Sequence, residues 1–157
     1  MFFKNLFVRT SLNKMNRSII NIASIPGMRS VPLHAYAPAK AAVISMTCCL
    51  AAEWGRSGVR VNAVSPGYTL TPALKDAIDK DERDVFAISN NSVAGRLVEP
   101  NEVAKAIAFL ASNFASGITD FNLPVDVGWL VSGSWDTYGG EASKDVETEM
   151  AKPPISV

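Results

Sequence analysis

Residues 18–65 read SIINIASIPGMRSVPLHAYAPAKAAVISMTCCLAAEWGRSGVRVNAVS, and this stretch decides the fold class. It opens with SIINIAS (18–24), an uncharged run rich in β-branched residues, which predicts a strand buried on both faces. It closes with VRVNAVS (59–65), which predicts a second buried strand. Apolar residues recur with helical spacing between the two, and Gly55 and Gly58 end that helix. Strand, helix and strand in this order predict parallel pairing and an α/β fold.

The helix between the two strands is predicted over residues 37–56, with Pro38 in the first turn, where its missing N–H costs no hydrogen bond. The apolar residues at offsets of 3, 7 and 11 define one face of this helix. The residues of this face are Val43, Met46, Leu50 and Trp54.

The rest of the chain continues the alternation of helices and strands. The polar stretch 69–91 predicts a partly helical insertion, residues 95–112 a helix that starts near Pro100, and residues 118–128 a third strand. Three parallel strands make a small sheet. Residues 18–24 would then expose an apolar edge, so that either another chain covers it or part of the fold is missing.

Composition bounds the classes of function. The 157 residues are 48% hydrophobic and 19% charged, which suits one globular domain, and no run approaches the roughly 18 apolar residues of a membrane span. The net charge is zero and basic residues do not cluster, so we predict neither a nucleic-acid nor a membrane partner. Cys48 and Cys49 are helix neighbours with poor disulfide geometry, and with one histidine no metal site is predicted.

Both ends of the chain differ from its centre. Residues 1–17 are basic and free of acidic residues, which is typical either of a mitochondrial leader or of a helical remnant before the first strand. Residues 136–157 form a polar tail. The predicted division is therefore 1–17, an α/β unit over 18–135, and 136–157. We expect a cytoplasmic protein, with a mitochondrial location as the alternative.

Three side chains suggest acid–base chemistry. Tyr36 and Lys40 lie four residues apart at the start of the predicted helix, so they share one face. A free phenol ionises only near pH 10, but an adjacent ammonium and the positive end of a helix both favour the phenolate. Ser24 ends the first strand, and sites in parallel sheets form at the carboxyl ends of strands. We expect the hydroxyl and the phenol to converge on one substrate oxygen.

Six motifs in fixed order resemble the C-terminal half of a member of the short-chain dehydrogenase/reductase family. They are N-I-A-S (21–24), Y-A-P-A-K (36–40), R-V-N-A-V-S-P-G (60–67), T-L-T-P (69–72), G-R-L-V-E-P-N-E-V-A (95–104) and V-D-V-G (125–128). The resemblance covers residues 18–135. It implies a partial Rossmann-like, doubly wound parallel sheet that comprises the last three strands of the family fold with their helices.

The resemblance also implies a role for each motif residue. Ser24 would hold and polarise the substrate carbonyl or hydroxyl, Tyr36 would pass the proton, and Lys40 would bind the nicotinamide ribose. The cofactor is NAD or NADP, the substrate a small alcohol or carbonyl compound such as a polyol or sugar alcohol, and the protein a homo-oligomer. The implied cofactor contacts are Tyr36, Lys40, Pro66, Gly67, Thr69 and Thr71.

The chain departs from the family pattern in two ways. Members open with a TGxxxGxG turn that cradles the pyrophosphate, and the ten glycines of this chain contain no such cluster, which implies that the cofactor-binding N-terminal half is missing. Val127 also stands where V-D-G-G has glycine, and a positive φ there would strain a β-branched residue.

Two hypotheses of function follow. The chain is either an NAD(P)-dependent alcohol/ketone oxidoreductase or a catalytically inactive remnant that only associates with itself or with full-length relatives. Trp129 and Trp135 either line the mouth of the pocket or pack in an interface.

Overall fold

The computed structural model describes residues 17–133 and residue 135. Its sheet has three parallel strands in the order β1-β2-β3, which are Arg17–Ile22, Val59–Pro66 and Asn122–Val125. The helices are α1 (Tyr36–Trp54), α2 (Pro72–Asp79), α3 (Val85–Asn90), α4 (Pro100–Ala111) and α5 (Trp129–Ser132). The predicted α/β class and the partial Rossmann-like sheet are confirmed. Residues 1–16, which include nearly all of the predicted leader or helical remnant, and the predicted tail 136–157 lie outside the described residues.

The two long helices cover opposite faces of the sheet. On one face Ala51 of α1 packs with Val59 and Val61. On the other face Leu110 of α4 packs with Val64. Alternate residues of β2 therefore serve two separate apolar clusters, which is what a strand inside a doubly covered parallel sheet requires.

The predicted burial of the first strand on both faces is wrong. β2 is buried from Val59 to Ser65, whereas no residue of β1 is fully buried and Ile22 is 46% exposed. Within the described residues β1 has a neighbour on one side only. The predicted exposed edge is therefore present, and it is the reason that an apolar sequence remains half-buried.

The sheet-facing side of α1 does not coincide with the apolar face predicted from the sequence. Its buried residues are Thr47 and Ala51, whereas Met46 of the predicted face is 47% exposed. Thr47 accepts a hydrogen bond from the Asn21 side-chain amide at 2.9 Å. Small side chains let the helix approach the sheet closely, and the apolar spacing of the larger residues does not reveal this. Leu50 and Trp54 of the predicted face do pack against the cluster below α1.

The third strand is shorter than predicted, covering Asn122–Val125 instead of 118–128. Asp120 has a φ of 61°, which interrupts the extended backbone before the strand begins. The Phe121 carbonyl accepts from the Ala63 N–H of β2, and the Val125 carbonyl accepts from the Gly67 N–H just after β2, so position 124 faces away from β2. Pro124 therefore removes no bond of the β2–β3 ladder.

The polar insertion is partly helical, as predicted, and consists of α2 and α3. Among residues 17–133 and 135, no helix is long and apolar enough to cross a membrane.

Candidate active site

The three predicted catalytic residues lie at the carboxyl end of β1 and the start of α1. Tyr36 is the first residue of α1, and Lys40 follows one turn later. The ammonium of Lys40 lies 5.5 Å from the centroid of the Tyr36 ring. The hydroxyl of Ser24 makes a long contact of 3.5 Å as donor to the Pro66 carbonyl, which joins the ends of β1 and β2.

Lys40 is held by the free edge of the sheet. Its Nζ donates a hydrogen bond to the Ile22 carbonyl at 3.0 Å. The Ala23 N–H points to β2, where it donates to the Val64 carbonyl, so the backbone groups of Ile22 point away from β2. The lysine thus satisfies a carbonyl that no described strand reaches.

The loop after β2 is fixed by its own hydrogen bonds. The Thr69 hydroxyl donates to the Gly67 carbonyl at 3.0 Å, and the Thr71 hydroxyl caps α2 by accepting from the Leu74 N–H at 3.2 Å. A Cβ on Gly67 would lie 2.8 Å from the Asp126 Cα, so only glycine lets this loop pack against the end of β3.

All seven predicted site residues line one cavity of 530 Å³. They are Ser24, Tyr36, Lys40, Pro66, Gly67, Thr69 and Thr71. The described lining contains no carboxylate. The walls that sequence reasoning did not assign to the site are mostly apolar, and include Ile22, Leu33, Tyr68, Leu74, Pro100 and Val103.

The start of α4 forms one of these walls and is rigidly capped. The Glu102 carboxylate accepts two bonds from the Arg96 guanidinium, at 2.8 and 2.9 Å, and one from the Glu99 N–H at 2.9 Å. The hydrogen bonds from Arg96 lower the pKa of Glu102 to about 2. This capping box was predictable from the acidic residues around Pro100, but the position of the helix beside the cavity was not.

An aromatic pair extends from the cavity wall. The rings of Tyr68 and Trp129 lie 6.0 Å apart, and the Arg29 guanidinium lies 5.7 Å from the centroid of the Trp129 ring. Trp129 thus contacts a residue of the pocket wall but is not itself a lining residue, and its role as pocket mouth or interface residue stays a prediction. Trp135 is 65% exposed.

The donor groups of the cavity fit the nicotinamide end of a dinucleotide. The ammonium of Lys40 and the phenol of Tyr36 suit the ribose hydroxyls, and the backbone from Pro66 to Thr69 suits a carboxamide. The sequence holds no glycine-rich turn for the pyrophosphate. Among the described residues no group of three or more His, Cys, Asp or Glu side chains is placed to hold a metal ion.

Comparisons with known proteins agree with the motifs. A family model described as enoyl-(acyl carrier protein) reductase matches residues 5–130. An uncharacterised short-chain type dehydrogenase/reductase of Sinorhizobium fredii is 42% identical over 120 residues, which are 76% of this chain and 22% of that protein.

Solved structures give the same result for the fold. A structure described as ribose-5-phosphate isomerase from Brucella melitensis 16M matches with a TM-score of 0.75 and 56% identity over 78% of this chain and 48% of that one. The protein ElxO with NADP bound matches with a TM-score of 0.69 and 37% identity over 72% of this chain and 46% of that one. The chain thus spans about half the length of these solved relatives. It belongs to the short-chain dehydrogenase/reductase family.

Proposed function

We propose that this cavity is the substrate end of an NAD(P)-dependent oxidoreductase site that interconverts an alcohol and a ketone. The observation that carries the proposal is the convergence of Ser24, Tyr36 and Lys40 on one cavity with the loop 66–71. The end of β1, the start of α1 and the loop after β2 bring these groups together. Chance placement of an exposed tyrosine and lysine would not supply the strand-end hydroxyl as well.

Each residue has a role that its position permits. The Ser24 hydroxyl donates to the substrate oxygen and holds it beside the phenol, once its long contact with the Pro66 carbonyl is released. The Tyr36 phenol gives a proton to that oxygen in reduction and takes it back in oxidation. Lys40 stabilises negative charge on the phenol and binds the ribose. NAD or NADP, when bound, supplies or accepts the hydride.

The substrate that we propose is a small alcohol or carbonyl compound, with a polyol as the narrower hypothesis. The apolar walls of the cavity suit a carbon skeleton, and its few hydroxyl groups suit one or two substrate oxygens. We also propose that the chain acts as a homo-oligomer, because the β1 edge and the exposed side of α1 are apolar.

An inactive remnant is the alternative proposal. It is supported by the absence of a pyrophosphate-binding turn from the sequence and by the bond that already engages Lys40 at Ile22. In that case the chain only associates with itself or with longer relatives.

The name of the Brucella structure suggests a second enzymatic candidate, the isomerisation of a sugar phosphate. That reaction moves a proton between two carbons through an enediol, and needs a base but no external hydride. The described cavity offers the Tyr36 phenol and no carboxylate as that base. Conversion of ribose 5-phosphate without nicotinamide would favour this candidate, and strict dependence on NAD(P) would exclude it.

The experiment is a titration of the folded chain with NADH and NADPH, followed by nicotinamide fluorescence. We expect saturable binding that weakens at least about tenfold in Lys40→Ala, because the ammonium contacts the ribose. Tyr36→Phe should still bind the cofactor and lose about 10²–10⁴-fold in turnover of a ketone panel. Lys105→Ala, an exposed lysine on α4, is the matched control and should bind as the parent chain does.

Failure has a clear signature. If the chain melts cooperatively and yet binds neither cofactor at about millimolar concentration, the oxidoreductase proposal is wrong and the remnant proposal is favoured. If Lys40→Ala and Lys105→Ala bind NADH and NADPH equally well, Lys40 is not part of the cofactor site.

A further inference from the structure

Arg29 is an exposed arginine outside the cavity lining, and it contacts α5 and Gly133. Its Nη1 donates to the Leu130 carbonyl at 2.8 Å, and its guanidinium lies over the Trp129 ring, 5.7 Å from the ring centroid. The guanidinium also packs directly over Gly133, where an added Cβ would collide with it. No carboxylate of the described residues pairs with Arg29. Arg29 keeps N–H donors for which the described residues show no acceptor, and the planar guanidinium suits an oxyanion.

The anchored arginine is connected to the cavity by aromatic rings. Tyr68 belongs to the cavity wall and is in ring contact with Trp129, which carries Arg29 on its face. The 3₁₀ turn Ile25–Gly27, whose first two residues also line the cavity, ends two positions before Arg29. The contacts from the cavity wall to the guanidinium therefore pass from Tyr68 to Trp129 and from Trp129 to Arg29.

We propose that Arg29 binds an oxyanion on the substrate, so that the preferred substrates are alcohols or ketones that also carry a carboxylate, sulfonate or phosphate. This inference rests on the proposed function for the position of the reacting oxygen. The reacting oxygen lies at Ser24 and Tyr36, the carbon skeleton lies against Tyr68, and the oxyanion lies at Arg29. A bidentate arginine–carboxylate contact fixes both the orientation and the reach of the substrate.

The test measures ligand binding without cofactor, so that it is independent of the NAD(P) titration. The probes are cis-4-hydroxycyclohexanecarboxylate and its carboxamide, which differ in charge but hardly in shape, and binding is followed by ligand-observed NMR. We expect the carboxylate to bind at least about tenfold more tightly than the amide in low salt, with the difference shrinking as ionic strength rises.

Variants assign the preference to the guanidinium. Arg29→Gln should abolish the tenfold preference without changing the affinity for the amide. Gly133→Ala keeps the charge but displaces the guanidinium, and should reduce the preference; Gly133 has a φ of −65°, which alanine accepts. Arg56→Gln, an exposed arginine at the far end of α1, is the matched control and should keep the preference.

Three results would overturn the inference: equal affinity for both probes, failure of both to bind the folded chain, or a preference that survives Arg29→Gln. Cofactor binding that persists under any of these would leave the oxidoreductase proposal standing and remove only the anionic subsite. Loss of cofactor binding with an intact carboxylate preference would refute the oxidoreductase proposal and leave the anionic subsite standing.

Discussion

β1 and β2 are neighbouring parallel strands with similar sequences and opposite environments. Both are short, β-branched runs, and their residues pair in register from Arg17↔Val59 to Ile22↔Val64. β2 is buried almost throughout because a strand lies on each side of it, whereas β1 has one strand neighbour among the described residues and is half-buried. Burial here follows from the number of neighbours and not from the apolar pattern.

The same difference runs through the candidate site. The end of β2 is fixed by the loop 66–71 and by contact with β3. At the end of β1 the Ile22 carbonyl, which no described strand reaches, accepts a hydrogen bond from the ammonium of Lys40, a predicted catalytic group. Whatever pairs with the edge of β1 will therefore also compete for the position of Lys40.

The largest expected effect concerns that edge. The chain should associate in solution, because β1 contains no proline that would block strand pairing at its outward edge, and Lys40 occupies only the last outward carbonyl, that of Ile22. Ile20→Pro removes an outward-facing N–H. It leaves the β1–β2 ladder intact, because the residues that bond to β2 alternate along the chain, Ala23 among them, and Ile20 is not one of them. Sedimentation velocity should show at least about a tenfold weaker association for this variant.

Ile20→Ala is the control for edge pairing, because it loses the same side chain but keeps the N–H. It should associate as the parent chain does. A parent chain that sediments as a monodisperse, cooperatively melting monomer would contradict the whole prediction.

Truncation of one apolar side chain on each strand should cost unequal free energies. Val64→Ala on β2 removes two carbons from a site with no exposure and should lower the free energy of unfolding by about 2 kcal/mol. Ile22→Ala on β1 removes three carbons but should cost about 1 kcal/mol or less, because that side chain is already half in water. Urea denaturation measures both, and the reverse order would refute the burial argument.

The end of β3 offers a stabilising substitution. Val127 has a φ of 49°, so the predicted strain on this β-branched residue is present. Val127→Gly relieves the backbone strain but adds conformational entropy to the unfolded chain. The net effect should be a rise of about 1 kcal/mol in the free energy of unfolding. Val131→Gly, in the helix α5, is the control. It should lower the free energy of unfolding, because glycine disfavours a helix. A destabilised Val127→Gly would show that side-chain contacts outweigh the strain.

The smallest expected effect is a pH dependence at the capped start of α4. The folded chain holds the pKa of Glu102 at about 2, below its ordinary value of 4.5, because Arg96 donates to the carboxylate. The resulting stability is present above pH 4.5 and is lost as the pH falls towards 2. The pair is partly exposed, so the loss should be less than about 1 kcal/mol.

Urea melts between pH 6 and pH 3 test the contribution of Glu102. Glu102→Gln should remove this part of the slope, and about 0.5 M NaCl should reduce it in the parent chain. An unchanged slope in Glu102→Gln would place the acid sensitivity elsewhere.

Much of the site was readable from sequence because its chemistry lies in short motifs. Ser24, Tyr36 and Lys40 are close in the chain, and the elements between them fix their separation. The walls given by Pro100 and Val103 were not readable, because they reach the cavity only through the packing of α4 on the sheet. Arg29 is a lone charged residue in a loop, and no spacing rule marks it.

The sequence by itself determined the alternation of elements, the parallel sheet and the choice of candidate site residues, since these depend on local periodicity, turn residues and spacing along the chain. The tertiary structure alone decided which strand is buried, which face of α1 meets the sheet and which carbonyl holds Lys40. These properties depend on how many strands and helices pack against a segment and how closely they approach it. The pattern of residues along the chain does not specify either quantity.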